Sequence, residues 1–399
     1  MASVALGHSI AHPVPADEAG EWVVSPPRHM PGLDGLRGCA ILLVMVYHLA
    51  DEWHNASGAA RWFIHAAEIG WAGVDLFFVL SGFLITGILL DAKDSPRYFS
   101  SFYGRRALRI FPLYYAVLTI VMILRWMPER YDLLRLQEMP ASPWWLWIYA
   151  TNIVQAVRQD HVFGALGHFW SLAVEEHFYM VWPAVVYFIS RRALIGLCLF
   201  LIPAAALGRL AAAYFGGDDW GLAIYSLTPF RVDGLALGAL LATLMRTPKA
   251  EPWLRRLWPW ALALSTLLLI GLFAWRRDLS HHNRVTLTLG LTIIGFFAGA
   301  LLMWAVTAPP VTFAGRCFGC GPLRSLGKVS FCMYLIHQPL IPLFAILFPP
   351  EKLSQLLGTG LPGLMVFLAL ALGATYALAM LSWHAFEKHF MKLKGKFSY

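Results

Sequence analysis

Three runs of this chain, residues 258–275, 285–308 and 361–383, contain no Asp, Glu, Lys or Arg. About 20 consecutive apolar residues are enough to cross a bilayer as a helix. In lipid every backbone N–H and C=O must find a partner within the chain, so such runs fold as helices. Composition agrees: 14% of the residues are charged, against about 25% in a soluble domain. The same pattern recurs, shortened or interrupted, at 38–52, 70–91, 107–127, 170–190, 193–215, 222–245 and 329–348. The sequence therefore predicts an all-α integral membrane protein with about ten transmembrane helices. The 17 Trp and 14 Tyr suit the bilayer interface, where one end of the ring is wet.

A further apolar stretch, 143–157, is too short to span comfortably and is predicted to be re-entrant or interfacial. With it held to one side, twenty of the 31 lysines and arginines fall on the side of both termini and nine on the other, with Arg209 and Arg231 inside spans. Positive residues accumulate in cytoplasmic loops, which puts both termini in the cytoplasm. Residues 1–30, polar and carrying His8, His12 and His29, read as a disordered cytoplasmic tail. Residues 31–385 read as one membrane domain and 386–399 as a basic cytoplasmic tail. The first apolar run begins too late for a cleavable signal peptide. The net charge of +8 would suggest nucleic acid in a soluble chain, but here it orients the protein, and no nucleic-acid partner is expected. Cys317 and Cys320 form a lone CxxC pair. A zinc site wants four ligands, so no metal is expected.

Charged residues inside spans are costly and usually functional, and four segments carry them. In residues 31–49, Arg37 and His48 are eleven positions apart, which returns them to nearly one helix face, about 16 Å apart along the axis. A topology anchor and a packing histidine would look the same. In residues 70–90, Asp75 sits at the span entry, where it could orient a histidine or simply favour a helix start. Ser81 and Gly82 lie mid-span, and the glycine permits close helix approach. In residues 102–115, Arg105, Arg106 and Arg109 open a span. A helix N-terminus with arginines favours phosphate, although Arg105 is explained as well by topology. In residues 168–183, Glu175, Glu176 and His177 interrupt an aromatic run. Adjacent positions point about 100° apart, so the two carboxylates are not a dyad, but at least one should face a polar cavity.

These segments resemble, in order, the motifs of the acyltransferase-3 family of membrane acyltransferases. Arg37 and His48 match its Arg-x10-His motif. GWAGVDLFFVLSGFLI, RRALRIFPLYY and WSLAVEEHFY match the next three segments, and FRVDGLALGALLA and SLGKVSFCMYLIHQPL resemble later ones. The resemblance covers roughly residues 31–345, and the variant with a fused SGNH domain is not expected. It implies a bacterial inner-membrane enzyme that moves an acyl group, acetyl by default, from acyl-coenzyme A to a hydroxyl of a carbohydrate or lipid-linked glycan. By the same resemblance His48 is the general base, with Glu175 and Asp75 as further catalytic candidates. Arg37, Arg105, Arg106 and Arg109 would hold the donor, and Ser81, Tyr114, Arg231 and Asp233 the acceptor. Arg231 and Asp233 do not face each other at i, i+2. The Gln-Pro that follows His337 looks exposed, and His337 is set aside as a helix-packing or interface histidine. Two other readings stay open: the same chemistry on a small secondary metabolite such as a macrolide, and a proton-coupled transporter using His48, Asp75 and Glu175 as a relay. Transporters often carry repeated halves, and no repeat is found here.

Overall fold

Pro31, with its fixed φ and missing N–H, suits the first turn of a helix, and there the first span begins: α1 covers Pro31–Ala50. The computed structural model describes residues 30–53, 56–127, 139, 141–216, 220–357 and 360–398. Nearly all of residues 1–30, read as a tail, therefore lies outside the described residues. Nine further long helices follow. They are α2 (Gly73–Asp91), α3 (Tyr98–Arg125), α4 (Trp170–Phe188), α5 (Arg191–Phe215) and α6 (Thr228–Met245). The others are α7 (Glu251–Arg276), α8 (Leu291–Thr307), α9 (Gly321–Leu347) and α10 (Gly360–Ser382). Among the described residues, nine helical stretches are long and apolar enough to cross a membrane. The tenth, α4, has 19 residues but is interrupted by Glu175, Glu176 and His177.

Six starts differ from the sequence expectation by six residues or more: α7 and α9 begin seven and eight residues early, α6 and α8 six residues late, and two more bear on the site. Helix α1 begins seven residues early, at Pro31. Helix α3 begins nine residues early, at Tyr98, so Arg105, Arg106 and Arg109 lie well inside it. The expected help from free N–H groups at a helix N-terminus is therefore absent at Arg106 and Arg109. Those donors are confined to the first turn.

The stretch 143–157 forms two short helices, Trp144–Trp147 and Thr151–Arg158, neither long enough to cross. Tyr149 breaks them apart with a φ of 55°, a conformation uncommon for a bulky residue. Residues 383–396 continue beyond α10 as short helical turns. They fold back on α3, where the Ser101 hydroxyl donates to the Ser398 carbonyl at 2.8 Å.

At the centre, α1 packs on α9 and α2 packs on α6. Between α2 and α6 the backbones nearly touch. A Cβ on Gly82 would collide with the Leu235 carbonyl, and one on Gly238 with the Val79 carbonyl. Without a hydrophobic drive between helices in lipid, such small-residue contacts supply the dispersion that holds the pair. Helix α7 is peripheral: only Ser265 and Leu272 are buried along its 26 residues.

Candidate active site

Helices α1, α2, α3, α4 and α9 enclose an internal cavity of about 90 Å³. Arg37, Arg106 and Arg109 line one end, which will be called the basic end. Ser81, Glu175 and Tyr179 line the middle, and Ser171 and Tyr334 the far end. Glu175 faces inward because the α4 helix turns it away from Glu176, and its Oε1 accepts from the Ser81 hydroxyl at 2.5 Å. The Arg106 guanidinium lies 3.9 Å above the centre of the Tyr179 ring, a cation–π contact favoured where the cation is desolvated. Among the described residues, Arg37 has a loose partner in Asp34, at 3.8 Å.

The basic end opens into two further cavities. One, of about 760 Å³, is lined by Arg105, Arg106, Arg109 and Lys394 together with Asp91. The other, of about 450 Å³, is lined by Arg37, Arg109, Arg324 and Lys328 together with Asp34. Arg109 borders all three cavities. Seven cations against two carboxylates make this vestibule an attractor for a multiply charged anion, and arginine forks match phosphate oxygens geometrically.

Beyond the far end stands a group of imidazoles. Its protonation follows from the partners. His337 Nδ1 lies 2.6 Å from the Tyr334 carbonyl, and a carbonyl can only accept, so Nδ1 carries the hydrogen. His337 Nε2 then presents a lone pair. His48 Nδ1 lies 2.9 Å from the Val44 carbonyl and 3.3 Å from that His337 Nε2. Both neighbours are acceptors, so His48 Nδ1 is the protonated nitrogen. In neutral His48 the lone pair is left on Nε2, which takes no hydrogen bond among the described residues. This tautomer is assigned from the hydrogen-bond network, and it gives His48 a free basic nitrogen. His168 completes the group, with Nε2 donating to the Tyr334 carbonyl at 2.9 Å and Nδ1 facing Gln338. The Ser171 and Tyr334 hydroxyls meet at 2.6 Å and stand between the cavity and these rings.

Other residues singled out in the sequence lie elsewhere. Among the described residues Asp75 hydrogen-bonds no imidazole, contrary to its expected role in orienting one. Its Oδ1 accepts from Arg231 Nη2 at 2.8 Å, and both side chains are almost fully buried. The Arg231 guanidinium also sits among the rings of Phe78, Trp170 and Tyr225. Asp233 pairs instead with Arg209 at 2.7 Å, so neighbours two apart on α6 turn to different partners. Arg209 was not among the site residues, yet it is fully buried and also donates to Thr292. The Tyr114 hydroxyl donates to the Leu146 carbonyl at 2.7 Å, and its ring stacks on Tyr149. It holds the short 144–158 segment and does not line the cavity. Glu176 sits apart from the cavity, and neighbouring His177 bonds Thr228 and the Tyr149 carbonyl. The sequence reading missed His168 and Tyr334 and dismissed His337. The signal available was Tyr334 and His337 at i, i+3, one helix face.

A family profile described as "Acyltransferase domain" matches residues 30–384. The putative peptidoglycan O-acetyltransferase YrhL of Bacillus subtilis is 29% identical over 393 residues, covering 90% of this chain and 55% of its own length. The peptidoglycan O-acetyltransferase OatA of Listeria monocytogenes is 29% identical over 333 residues, 79% of this chain and 50% of its own. The O-acetyltransferase OatA of Staphylococcus aureus is 29% identical over 356 residues, 79% and 51% respectively. The chain thus spans about half the length of the curated relatives it matches. No solved structure matches.

Proposed function

Since the chain belongs to the acyltransferase family whose profile covers residues 30–384, we propose that it transfers an acetyl group from acetyl-coenzyme A to a hydroxyl of a glycan acceptor. The observation that carries this reading is the polarity of the site along α1. A cluster of cations surrounds Arg37, and an imidazole with a free Nε2 stands about 16 Å away along the same helix. The phosphates of coenzyme A would sit in the vestibule against Arg37, Arg106 and Arg109, with Arg105 at its edge. The thioester arm would run along the cavity past Ser81 and Glu175 towards Tyr334.

His48 Nε2 would take the proton of the acceptor hydroxyl as its oxygen attacks the thioester carbonyl. The new C–O bond forms, the C–S bond breaks, and the proton passes from His48 to the departing thiolate. His337 acts through His48 by holding its tautomer. Glu175, locked to Ser81, would position the arm or the acceptor. Arg231, Asp233 and Asp75 support the helices that carry these groups. The excess of positive charge at the basic end supports a cytoplasmic vestibule and cytoplasmic termini, and the bacterial relatives are the ground for placing the chain in a bacterial inner membrane.

The test is product formation by the purified protein, given radiolabelled acetyl-coenzyme A and a panel of glycan acceptors and small metabolites. A general base contributes about 10² to 10⁴ in rate. His48→Ala should lose that factor per folded molecule while still binding coenzyme A. Acyl transfer surviving above about a tenth of the wild-type rate, well beyond what loss of a base allows, would remove His48 from the role.

A further inference from the structure

On another face of α1, about 120° round from Arg37, a slot of about 460 Å³ lies between α1, α2, α7 and α8. Leu43, Leu76, Leu269, Ile270, Phe297 and Leu301 form most of its wall. Its single hydroxyl, Thr266, is already spent on the Leu262 carbonyl at 2.7 Å. Water has no hydrogen-bonding partner there, so the slot is left to hydrocarbon. Leu43 lies mid-helix on central α1, beside the fully buried Val44, yet it is 42% exposed and lines this slot.

The slot is continuous with a second cavity of about 950 Å³ at the His48 end of the bundle, since Ile69, Phe273 and Leu279 line both. That mouth is polar. The short helix Gly58–Ala67 contributes Arg61, Trp62 and His65, and the turn after α7 contributes Arg277 and Asp278. The two carboxylates there are occupied. Glu68 holds His65 at 3.1 Å. Asp278 accepts from the Ser280 N–H at 2.6 Å and from Asn283 at 3.1 Å. Among the described residues neither Arg61 nor Arg277 forms an ion pair, and both are exposed.

We infer that this slot and mouth form a binding site for one membrane lipid, its chain lying along Leu43 under α7 and its anionic phosphate headgroup held by Arg61 and Arg277. The two guanidinium groups free of ion pairs select a phosphate, and the apolar wall selects the chain. The indole of Trp62 stands at the rim, where ring edges meet lipid carbonyls and water. The lipid enters sideways from the leaflet at the His48 end, because α7 is only loosely held. The site is independent of the acyl-transfer reading.

The experiment is native mass spectrometry of the full chain, stripped of lipid and then titrated with phosphatidylglycerol, diacylglycerol or inorganic phosphate. One phosphatidylglycerol per chain should bind. Diacylglycerol, which lacks the phosphate, should bind roughly tenfold more weakly, as expected on losing a charge-assisted contact. Inorganic phosphate should not displace the lipid. Arg61→Ala/Arg277→Ala, at two exposed positions that leave packing untouched, should weaken phosphatidylglycerol by about tenfold or more. Leu43→Trp, which fills the slot, should abolish retention. Equal binding of diacylglycerol, or wild-type affinity in the double arginine variant, would overturn the assignment whether or not Leu43→Trp folds. No acyl-transfer measurement enters, so failure here leaves the enzymatic reading standing.

Discussion

Replacing Asp75 alone should damage folding more than chemistry. Its carboxylate and the Arg231 guanidinium lie 2.8 Å apart, with side chains 7% and 1% exposed. Removing one partner of such a pair leaves the other charge buried and uncompensated, at about 3–5 kcal/mol. Replacing both with apolar residues of similar volume is often neutral or stabilising. Asp75→Asn and Arg231→Met should therefore each lose about 3–5 kcal/mol, a large share of a typical 5–15 kcal/mol stability. Asp75→Leu/Arg231→Met should return close to wild type, a non-additivity that itself measures the coupling. The assay is the fraction of protein staying monodisperse after graded heating in detergent, with acyl transfer per folded molecule measured beside it. Two results would refute the reasoning. A double variant that loses the sum of the single losses would deny the coupling. One that folds like wild type yet transfers nothing would return Asp75 or Arg231 to the chemistry.

Three other outcomes are expected. Arg106→Ala and Arg109→Ala should each weaken coenzyme A by roughly ten- to a hundredfold, on the cost of a lost charge-assisted contact; calorimetric titration reads this, and unchanged affinity in both would leave the cluster a topology anchor. Gly238→Val should cost at least about 1–3 kcal/mol, because its Cβ meets the Val79 carbonyl and the Phe83 N–H, backbone that cannot rotate away; the heating assay reads this too. In the loop after α7, burial first and then His282 and His161 push His281 down to about 3. The folded protein then binds fewer protons than the unfolded chain between about pH 6.5 and pH 3. Stability should fall as pH drops through that window, and His281→Phe should flatten the fall.

The spans were legible because charge-free runs in lipid have one solution, and bounds at the polar ends of α4, α5 and α10 fell within a residue or two. The start of α3 was not, since Tyr98–Gly104 is too polar to read as membrane and only tertiary packing keeps it helical. Arg37 and His48 were legible because one helix carries both. His337 was misjudged for a physical reason. The Gln-Pro that follows it looked exposed, but α9 continues through both Pro339 and Pro342. In a membrane bundle neighbouring groups take up the freed carbonyls, and His337 ends fully buried. The Asp75–Arg231 pair joins residues 156 positions apart, on different helices. No local spacing could announce it.

Helix α7 has one further consequence. Its charge-free run, residues 258–275, extends about 27 Å at 1.5 Å per residue, close to the roughly 30 Å hydrocarbon layer. A helix that outgrows a thinned bilayer tilts, and the tilt follows membrane thickness. Because α7 leans on the bundle mainly through α8, thinning the membrane would swing this helix while the tightly packed α1, α2, α6 and α9 stay in register. Hydrophobic mismatch would thus widen or narrow the lateral slot and leave the separation of Arg37 from His48 unchanged, giving the protein one face that answers to its membrane and one that does not.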